Sequence, residues 1–430
     1  MHLTKLSITN VRTISHFDFV IDASSAAGWH VILGDNGSGK SSVIRSIALL
    51  FSGGRHVSVT RQTWNDWLRA GTSEGSISAT LNRDDGDQFK IQGPHIKAFT
   101  VGVKLTKVSL PLGKSDVEIG FTGKQTTPNR TIWSPAVGWF SASFGPFRRF
   151  SGGDMTWDRL FLSSEYRRAA GHLSAFGEDV ALTEAFGWLQ RLHVVALESP
   201  HSQAAQIRDL IRDFVNKSEL LPHGSTIVEV SSKSVVLKDG DGNKILLEEM
   251  SDGYRSILSL TLELLRQMFE VYGPDYMLAH VDGETATVRV SGVVAIDEVD
   301  AHLHPTWQAR IGDWFLDRFP LVQFIVTTHS PIICRAARRG SIWRMPTPGS
   351  GNEGYRVRGV EEARLVSGSI LDAYSTDFFG EDIERSPESE AALARLAYLA
   401  KKKALGRITK EDEAELEGLR ATLPTEQLSI

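Results

Sequence analysis

A single cysteine, Cys334, stands in 430 residues, so the sequence excludes an intrachain disulfide and a cysteine-built zinc site and fits a reducing compartment. No run of about 18 apolar residues occurs, which excludes a membrane-spanning helix. The start, MHLTKLSITNVRTISHFDFVI, lacks the continuous apolar stretch and small-residue cleavage site of an export signal, so the expected address is the cytoplasm. Neither charge is in large excess: Lys+Arg 47 against Asp+Glu 52 leaves a formal net charge of -5, and any contact with nucleic acid must come from a local basic face. Internal repeats and low-complexity tracts are also missing. What is present is a 41% hydrophobic content, enough for a real core, spread over a length that at about 150 residues per domain predicts two to three domains.

The hydrophobic pattern predicts an α/β fold. Residues 3–9 and 16–21 read as amphipathic strands, and WHVIL at 29–33 as a buried strand that runs straight into a glycine-rich loop. SSVIRSIALLF at 41–51 has helical spacing and is closed by Gly53-Gly54. Alternating runs between 75 and 125 (SISATL, QFKIQ, AFTVGVKL, DVEIGF), parted by turn residues, predict a small antiparallel sheet. Period-3.6 patterns fill DRLFLSSEYRRAA, DVALTEAFGWLQRLH and SQAAQIRDLIRDFVNK, while 226–247 reads as a hairpin turning at DGDGN. A helix is expected over Tyr254–Tyr272, and the runs at 293–296 and 322–327 are nearly all apolar, like central strands of a parallel sheet. The resulting division is 1–55, a β-rich part 56–154, a helical insertion 155–225, a segment 226–345 with the later motifs, 346–384, and a helical tail 385–430. In that tail Leu393, Leu396, Leu399 and Leu405, with Leu416, Leu419 and Leu423, either dock a partner or close on their own hairpin.

Four short segments carry chemistry. Gly34-Asp35-Asn36-Gly37-Ser38-Gly39-Lys40-Ser41, followed by Ser42, fits G-x-x-x-x-G-K-[ST] between a strand and a helix. There the glycines let backbone N–H groups converge on phosphate oxygens, the helix N-terminus adds a favourable dipole, Lys40 supplies a point charge and Ser41 can ligate Mg²⁺. GVVAIDE at 292–298 is an apolar strand ending in Asp297 and Glu298; beside such a loop one carboxylate can hold Mg²⁺ and the next can polarise an attacking water. FIVTTHSP at 324–331 ends a second buried strand at His329, which by itself more often reads as a structural histidine. Ser251, Asp252, Gly253 and Arg255 open a long helix whose N-terminus offers N–H groups to an anion, although a plain Ser or Asp cap explains the same letters.

In this order the segments resemble the ABC-type ATPase head of the SMC/RecF-like group: GDNGSGKS as Walker A, SDGYRS as signature, VVAIDE as Walker B, DAHLHP as the loop after it and TTHSP as the switch-histidine segment. The resemblance covers roughly 1–55 and 225–345 and implies a P-loop NTPase head with a mixed, largely parallel central sheet, an antiparallel β subdomain and a helical insertion. It further implies ATP and Mg²⁺ as cofactors and head-to-head dimers in which the signature of one copy closes over ATP on the other. Lys40 would then hold the phosphates, Ser41 and Asp297 Mg²⁺, Glu298 would be the general base and His329 the γ-phosphate sensor. Ser251 and Gly253 would act in trans, with Asp300 near the seam and Arg12 matching the N-terminal arginine of similar heads. The signature departs from the usual L-S-G-G-Q by placing Asp252 near the γ-phosphate, which implies slow turnover. No Q-loop glutamine follows the first sheet; FGPFRRF stands there, and its Arg148 or Arg149 reaches a phosphate or the partner head, or is a solvated basic turn.

DEVDAHLHPTWQ, GPFRRF and SGSILDAYSTDFFG narrow the likeness to the PtuA-type ATPases of Septu and related retron antiphage systems. That implies a separate HNH nuclease partner of the PtuB kind, because this sequence has no H-N-H arrangement and no acidic nuclease cluster after His329. Retron RNA or DNA is a further candidate ligand. The competing reading is a RecF-like ATP clamp on DNA, for which Lys90, Lys97, Lys104, Lys107, Lys114, Lys124 and Arg130, with Arg148, Arg149, Arg159, Arg167 and Arg168, would supply a basic saddle. A transport ATPase is discounted for want of a well-formed signature and Q-loop.

Overall fold

The computed structural model describes residues 1–87, 97–111, 114–134, 138–147, 166–177, 184–231, 234–368, 373 and 387–422. The QFKIQ run with Lys90, the arginines 148, 149 and 159, most of DRLFLSSEYRRAA and of SGSILDAYSTDFFG, and Leu423 lie outside them. The chain divides into two compact units, Met1–Val366 and Ser367–Ile430.

In the first unit, β1 (His2–Val11) and β2 (Ile14–Val20) pair through a two-residue turn, Arg12-Thr13, with Arg12 in the left-handed region at φ 52° as tight hairpins require. They join β4 (Glu74–Asn82), β5 (Ala98–Ser109) and β6 (Ser115–Thr122) in an antiparallel sheet of order β2-β1-β4-β5-β6, strands being numbered along the chain. Alternation sends Ile77, Ala79, Leu81, Val101, Val103 and Leu105 into one core.

The second sheet has the order β16-β15-β3-β14-β13-β7. β3 (Gly28–Leu33), β7 (Phe140–Phe144), β13 (Gly292–Ile296), β14 (Val322–Thr328) and β15 (Gly340–Arg344) run parallel; only β16 (Tyr355–Arg356) opposes them. Every residue of β3, β7, β13 and β14 is buried, as strands covered on both faces must be. The helix Lys40–Ser52 lies between the two sheets and is buried nearly all round. Its internal serines survive there because Ser46 Oγ and Ser52 Oγ donate to the carbonyls of Ser42 and Ala48, at 2.7 and 2.8 Å. Gly53 ends it, as the Gly53-Gly54 pair predicts.

The expected hairpin at 226–247 is a three-stranded meander, β8 (Thr226–Val230), β9 (Val235–Lys238) and β10 (Lys244–Leu246). Between β8 and β9, Ser231 N–H donates to Ser234 O at 2.9 Å, and DGDGN turns the chain into β10. Next comes the helix Asp252–Tyr272, inside which buried Arg266 bonds Glu263 and Glu270. The insertion contributes the helices Glu184–Glu198 and Gln203–Lys217, packed on each other.

The second unit contains an antiparallel helix pair, Pro387–Ala404 and Lys410–Thr422, sealed by Leu396, Leu399 and Leu416. Arg395 Nε and Nη2 straddle the Glu415 carboxylate at 2.9 and 2.8 Å, and Thr409 and Asp412 cap the second helix reciprocally.

Candidate nucleotide site

Three neighbouring parallel strands, β3, β14 and β13, end at the same edge of the sheet. Register places Leu33 beside Thr328 and Ile296 beside Val326, so the residues that follow, the 34–41 loop, His329 and Asp297-Glu298, emerge together. Distant parts of the sequence thereby meet because parallel strands put all their C-terminal ends on one side.

In the loop, Lys40 is 6% exposed and donates to Gly34 O at 2.7 Å and Asp35 O at 2.9 Å. Burial lowers the pKa of its ammonium, against the opposing pull of Asp297, Glu298, Asp35 and Asp300. Gly39, at φ +104°, starts the helix; a Cβ there would stand 2.7 Å from Ile14 Cγ1 and 3.0 Å from Thr13 Oγ1, so only glycine lets the β1–β2 turn pack on the loop. Ser38 Oγ and Arg12 Nε are buried without a partner among the described residues. Unsatisfied donors beside an uncapped helix start, with a lysine held on carbonyls it can exchange, fit a phosphate chain.

Asp297 is 3% exposed and accepts from Thr327 Oγ1 at 2.5 Å. Thr327 Oγ1 accepts in turn from Glu298 N–H at 2.8 Å, and Glu298 sits in the left-handed region at φ 47°. Asp300 accepts from Thr328 Oγ1 at 2.5 Å. Burial, then Lys40, lowers the pKa of His329, which keeps the imidazole neutral at pH 7; the three acids oppose this. One carboxylate and one hydroxyl with phosphate oxygens is a donor set suited to Mg²⁺, which takes few protein ligands.

A cavity of about 640 Å³ is lined by Asn36, Gly37, Gly39, Lys40, Ser41, Ser42, Glu298, His329 and Arg12; Ser38, Asp297 and Asp300 stand behind its lining. Sequence reasoning missed Thr13, Asp66 and Leu68 in its lining. Asp66 ends the short 3-10 helix Trp64–Asp66 and Leu68 bridges Val11 just beyond it, and between them the Trp67 ring lies under Arg12, 5.0 Å from its centroid. Such turns have no apolar period for a sequence to display.

Ser251, Asp252 and Gly253 do not reach that cavity. With Tyr254, His302, His304 and Trp307 they line a separate one of about 310 Å³ at the start of the helix Asp252–Tyr272. Ser251 makes no side-chain capping bond there. A Cβ on Gly253 would lie 2.6 Å from His302 O, so glycine allows the helix start to touch the loop after β13. Arg255 bonds the Asp252 carboxylate and donates to Glu248 O at 3.2 Å.

A family model described as AAA domain, putative AbiEii toxin, Type IV TA system, matches residues 30–335. Septu protein PtuA of Bacillus mycoides is 27% identical over 345 residues, 79% of this chain and 40% of that protein. Retron Ec83 probable ATPase of Escherichia coli is 36% identical over 134 residues, 31% of this chain and 22% of that protein. The chain thus spans about two fifths or less of the length of these relatives. Among solved structures, an SMC head bound to the C-winged helix domain of ScpA aligns at 16% identity and a TM-score of 0.48, over 84% of this chain and 100% of that one. The SMC head domain from Thermotoga maritima aligns at 15% identity and 0.43, over 84% and 100%. No helix among the described residues is long and apolar enough to cross a membrane.

Proposed function

The chain belongs to the AAA-domain family just described, and from that membership we propose that it is an ATP-binding, slowly hydrolysing head that pairs with a second copy and gates a separate HNH-type nuclease in bacterial antiphage defence. The observation that carries the pairing is the separation of the two cavities: Lys40, Glu298 and His329 line one, Ser251 and Gly253 the other, with no lining residue shared. A second copy would supply the missing half of each site.

In this reading Lys40 exchanges its two carbonyl acceptors for phosphate oxygens, and Asn36, Gly37, Ser38 and Ser42 complete the cradle. Ser41 and Asp297 would hold Mg²⁺, which when bound neutralises phosphate charge. Glu298 receives the proton of the attacking water on its carboxylate, and neutral His329 bonds the γ-phosphate. In the partner copy, Ser251 and Gly253 close over that phosphate, with Asp300 at the seam. Asp252 brings a negative charge to this contact and Arg255 neutralises part of it, which accounts for slow rather than fast turnover. ATP would bias the closed pair by its greater affinity for it, and opening would be relayed to the nuclease.

The test is the mass of the protein in solution with and without ATP, for the unaltered chain and Glu298→Gln, alone and with the candidate nuclease. An ATP-dependent doubling that Glu298→Gln stabilises, together with a stoichiometric nuclease complex, is expected. A nuclease-free particle with tight, steeply salt-dependent DNA binding would replace the gate by a clamp.

A further inference from the structure

Resting on the nucleotide-site reading above, we infer that Thr327 is a positioning residue that sets both acids after β13, Asp297 toward the metal and Glu298 toward the water. Thr327 is fully buried at the end of β14, level with Asp297 one step past the Ile296–Val326 pair. Its hydroxyl donates to Asp297 Oδ1 at 2.5 Å and accepts from Glu298 N–H at 2.8 Å, while its carbonyl accepts from Val299 N–H at 3.0 Å. One residue therefore grips three consecutive positions of the neighbouring strand end.

Only a hydroxyl can do this. A carboxylate needs a donor and an amide N–H needs an acceptor, and among small side chains serine and threonine offer both strongly on one atom, cysteine only weakly. The proton committed to Asp297 leaves the oxygen lone pair for Glu298. Glu298 also holds a left-handed backbone, φ 47°, which costs a non-glycine residue free energy. Its amide bond to Thr327 offsets that cost and ties the direction of the Glu298 side chain to the placement of Asp297. A buried threonine that merely satisfied its own hydroxyl would need one partner on any nearby carbonyl. Here both partners are the adjacent acids, and the same strand end continues into His329.

The test compares Thr327→Val, which keeps the shape and loses the hydroxyl, with Thr327→Ser, which keeps the hydroxyl. The full chain is used, and thermal stabilisation by a non-hydrolysable ATP analogue is followed as Mg²⁺ is titrated. Thr327→Val should raise the Mg²⁺ concentration at half-maximal stabilisation by about 10-fold and lower ATP hydrolysis by about 10–100-fold, the range found when a partner of a metal ligand is removed. Thr327→Ser should return the Mg²⁺ midpoint to that of the unaltered chain. If Thr327→Val lowers only the melting temperature and leaves the Mg²⁺ midpoint in place, the role is structural and the inference falls alone. If the unaltered chain shows no Mg²⁺-dependent stabilisation and Lys40→Ala changes nothing, the nucleotide reading fails and takes the inference with it. Should Thr327→Val not fold, Thr327→Cys, close in size and a poor donor, carries the same comparison.

Discussion

Two buried histidines make this protein sensitive to acid. His172 is wholly buried between Ser143 Oγ at 2.8 Å and Ser141 Oγ at 3.1 Å, and burial, helped by Arg168, pushes its pKa down to about 3. His30, in β3, bonds Ser341 Oγ and Ala26 O and is pushed down to about 4 by burial. Both folded values lie below the ordinary 6.5 of the unfolded chain, so the unfolded state takes up protons first as pH falls. Their full contribution to stability is present above pH 6.5 and drains away below it. At pH 5 each costs about 2 kcal/mol by linkage. Urea unfolding at pH 7.5 and pH 5 should therefore differ by about 4 kcal/mol from these two groups. His172→Asn should be the less stable protein at pH 7.5 yet show the shallower fall, and an unaltered pH dependence would remove His172 as its source. Lys40 is the residue-scale counterpart in the site. With its ammonium gone, Asp297, Glu298 and Asp300 repel the phosphates unopposed, and Lys40→Ala should weaken ATP-analogue binding by about 100-fold or more in a fluorescence titration.

Elements, rather than residues, shape the second cavity. Gly253 lies in the first turn of the helix Asp252–Tyr272, where alanine would gain about 1 kcal/mol of helix propensity. A Cβ at 2.6 Å from His302 O, a backbone atom, forces the helix start off the loop after β13, and overpacking of that kind costs about 1–3 kcal/mol. The clash outweighs the propensity. Gly253→Ala should leave analogue affinity of the single copy within about twofold while abolishing ATP-dependent doubling of mass; doubling that persists would remove this surface from the seam. How far such elements can be read in advance depends on what surrounds them. β13 and β14 announce themselves because strands covered on both faces are nearly all apolar; the one early exception, Gln323, is buried on the backbone of Leu3. β7 stays hidden although equally buried: Ser141 and Ser143 interrupt its apolar run, and only the fold supplies His172 as their partner. Likewise β15 is recognisable only once Gly340–Arg344 is seen pairing with β3. The Arg12–Trp67 contact and the lining at Asp66 and Leu68 depend on the 64–68 stretch meeting the β1–β2 hairpin, a purely tertiary event.

For the molecule as a whole, charge separates a gate from a clamp. The lysine-rich stretch of the β subdomain is interleaved with acids: Lys104 pairs with Glu74 at 2.7 Å, and Glu118 and Asp116 stand across β5–β6 from Thr106 and Val108. Arg168 donates inward to Ser134 O and Trp139 O, and Arg167 to Glu270 O, so neither widens a basic face. Non-specific DNA affinity should accordingly be weak, with a salt slope far shallower than the six to ten phosphate contacts of a true DNA clamp would give. The tail is the remaining candidate for partner choice. Its leucines are divided: Leu396, Leu399 and Leu416 are spent sealing the helix pair, whereas Leu405 is 60% and Tyr398 56% exposed. A hairpin held by so small a core and by exposed ion pairs, each worth about 0–1 kcal/mol, is weakly stable alone and gains from any surface that covers those two side chains. Ending the chain at residue 386 removes the pair without touching the first unit, which holds both cavities. Analogue binding should stay within about twofold while co-purification with the nuclease is lost. Loss of both together would mean that the tail supports the head and does not choose its partner, and Tyr398→Ala with Leu405→Ala in the full chain would then leave the nuclease complex intact.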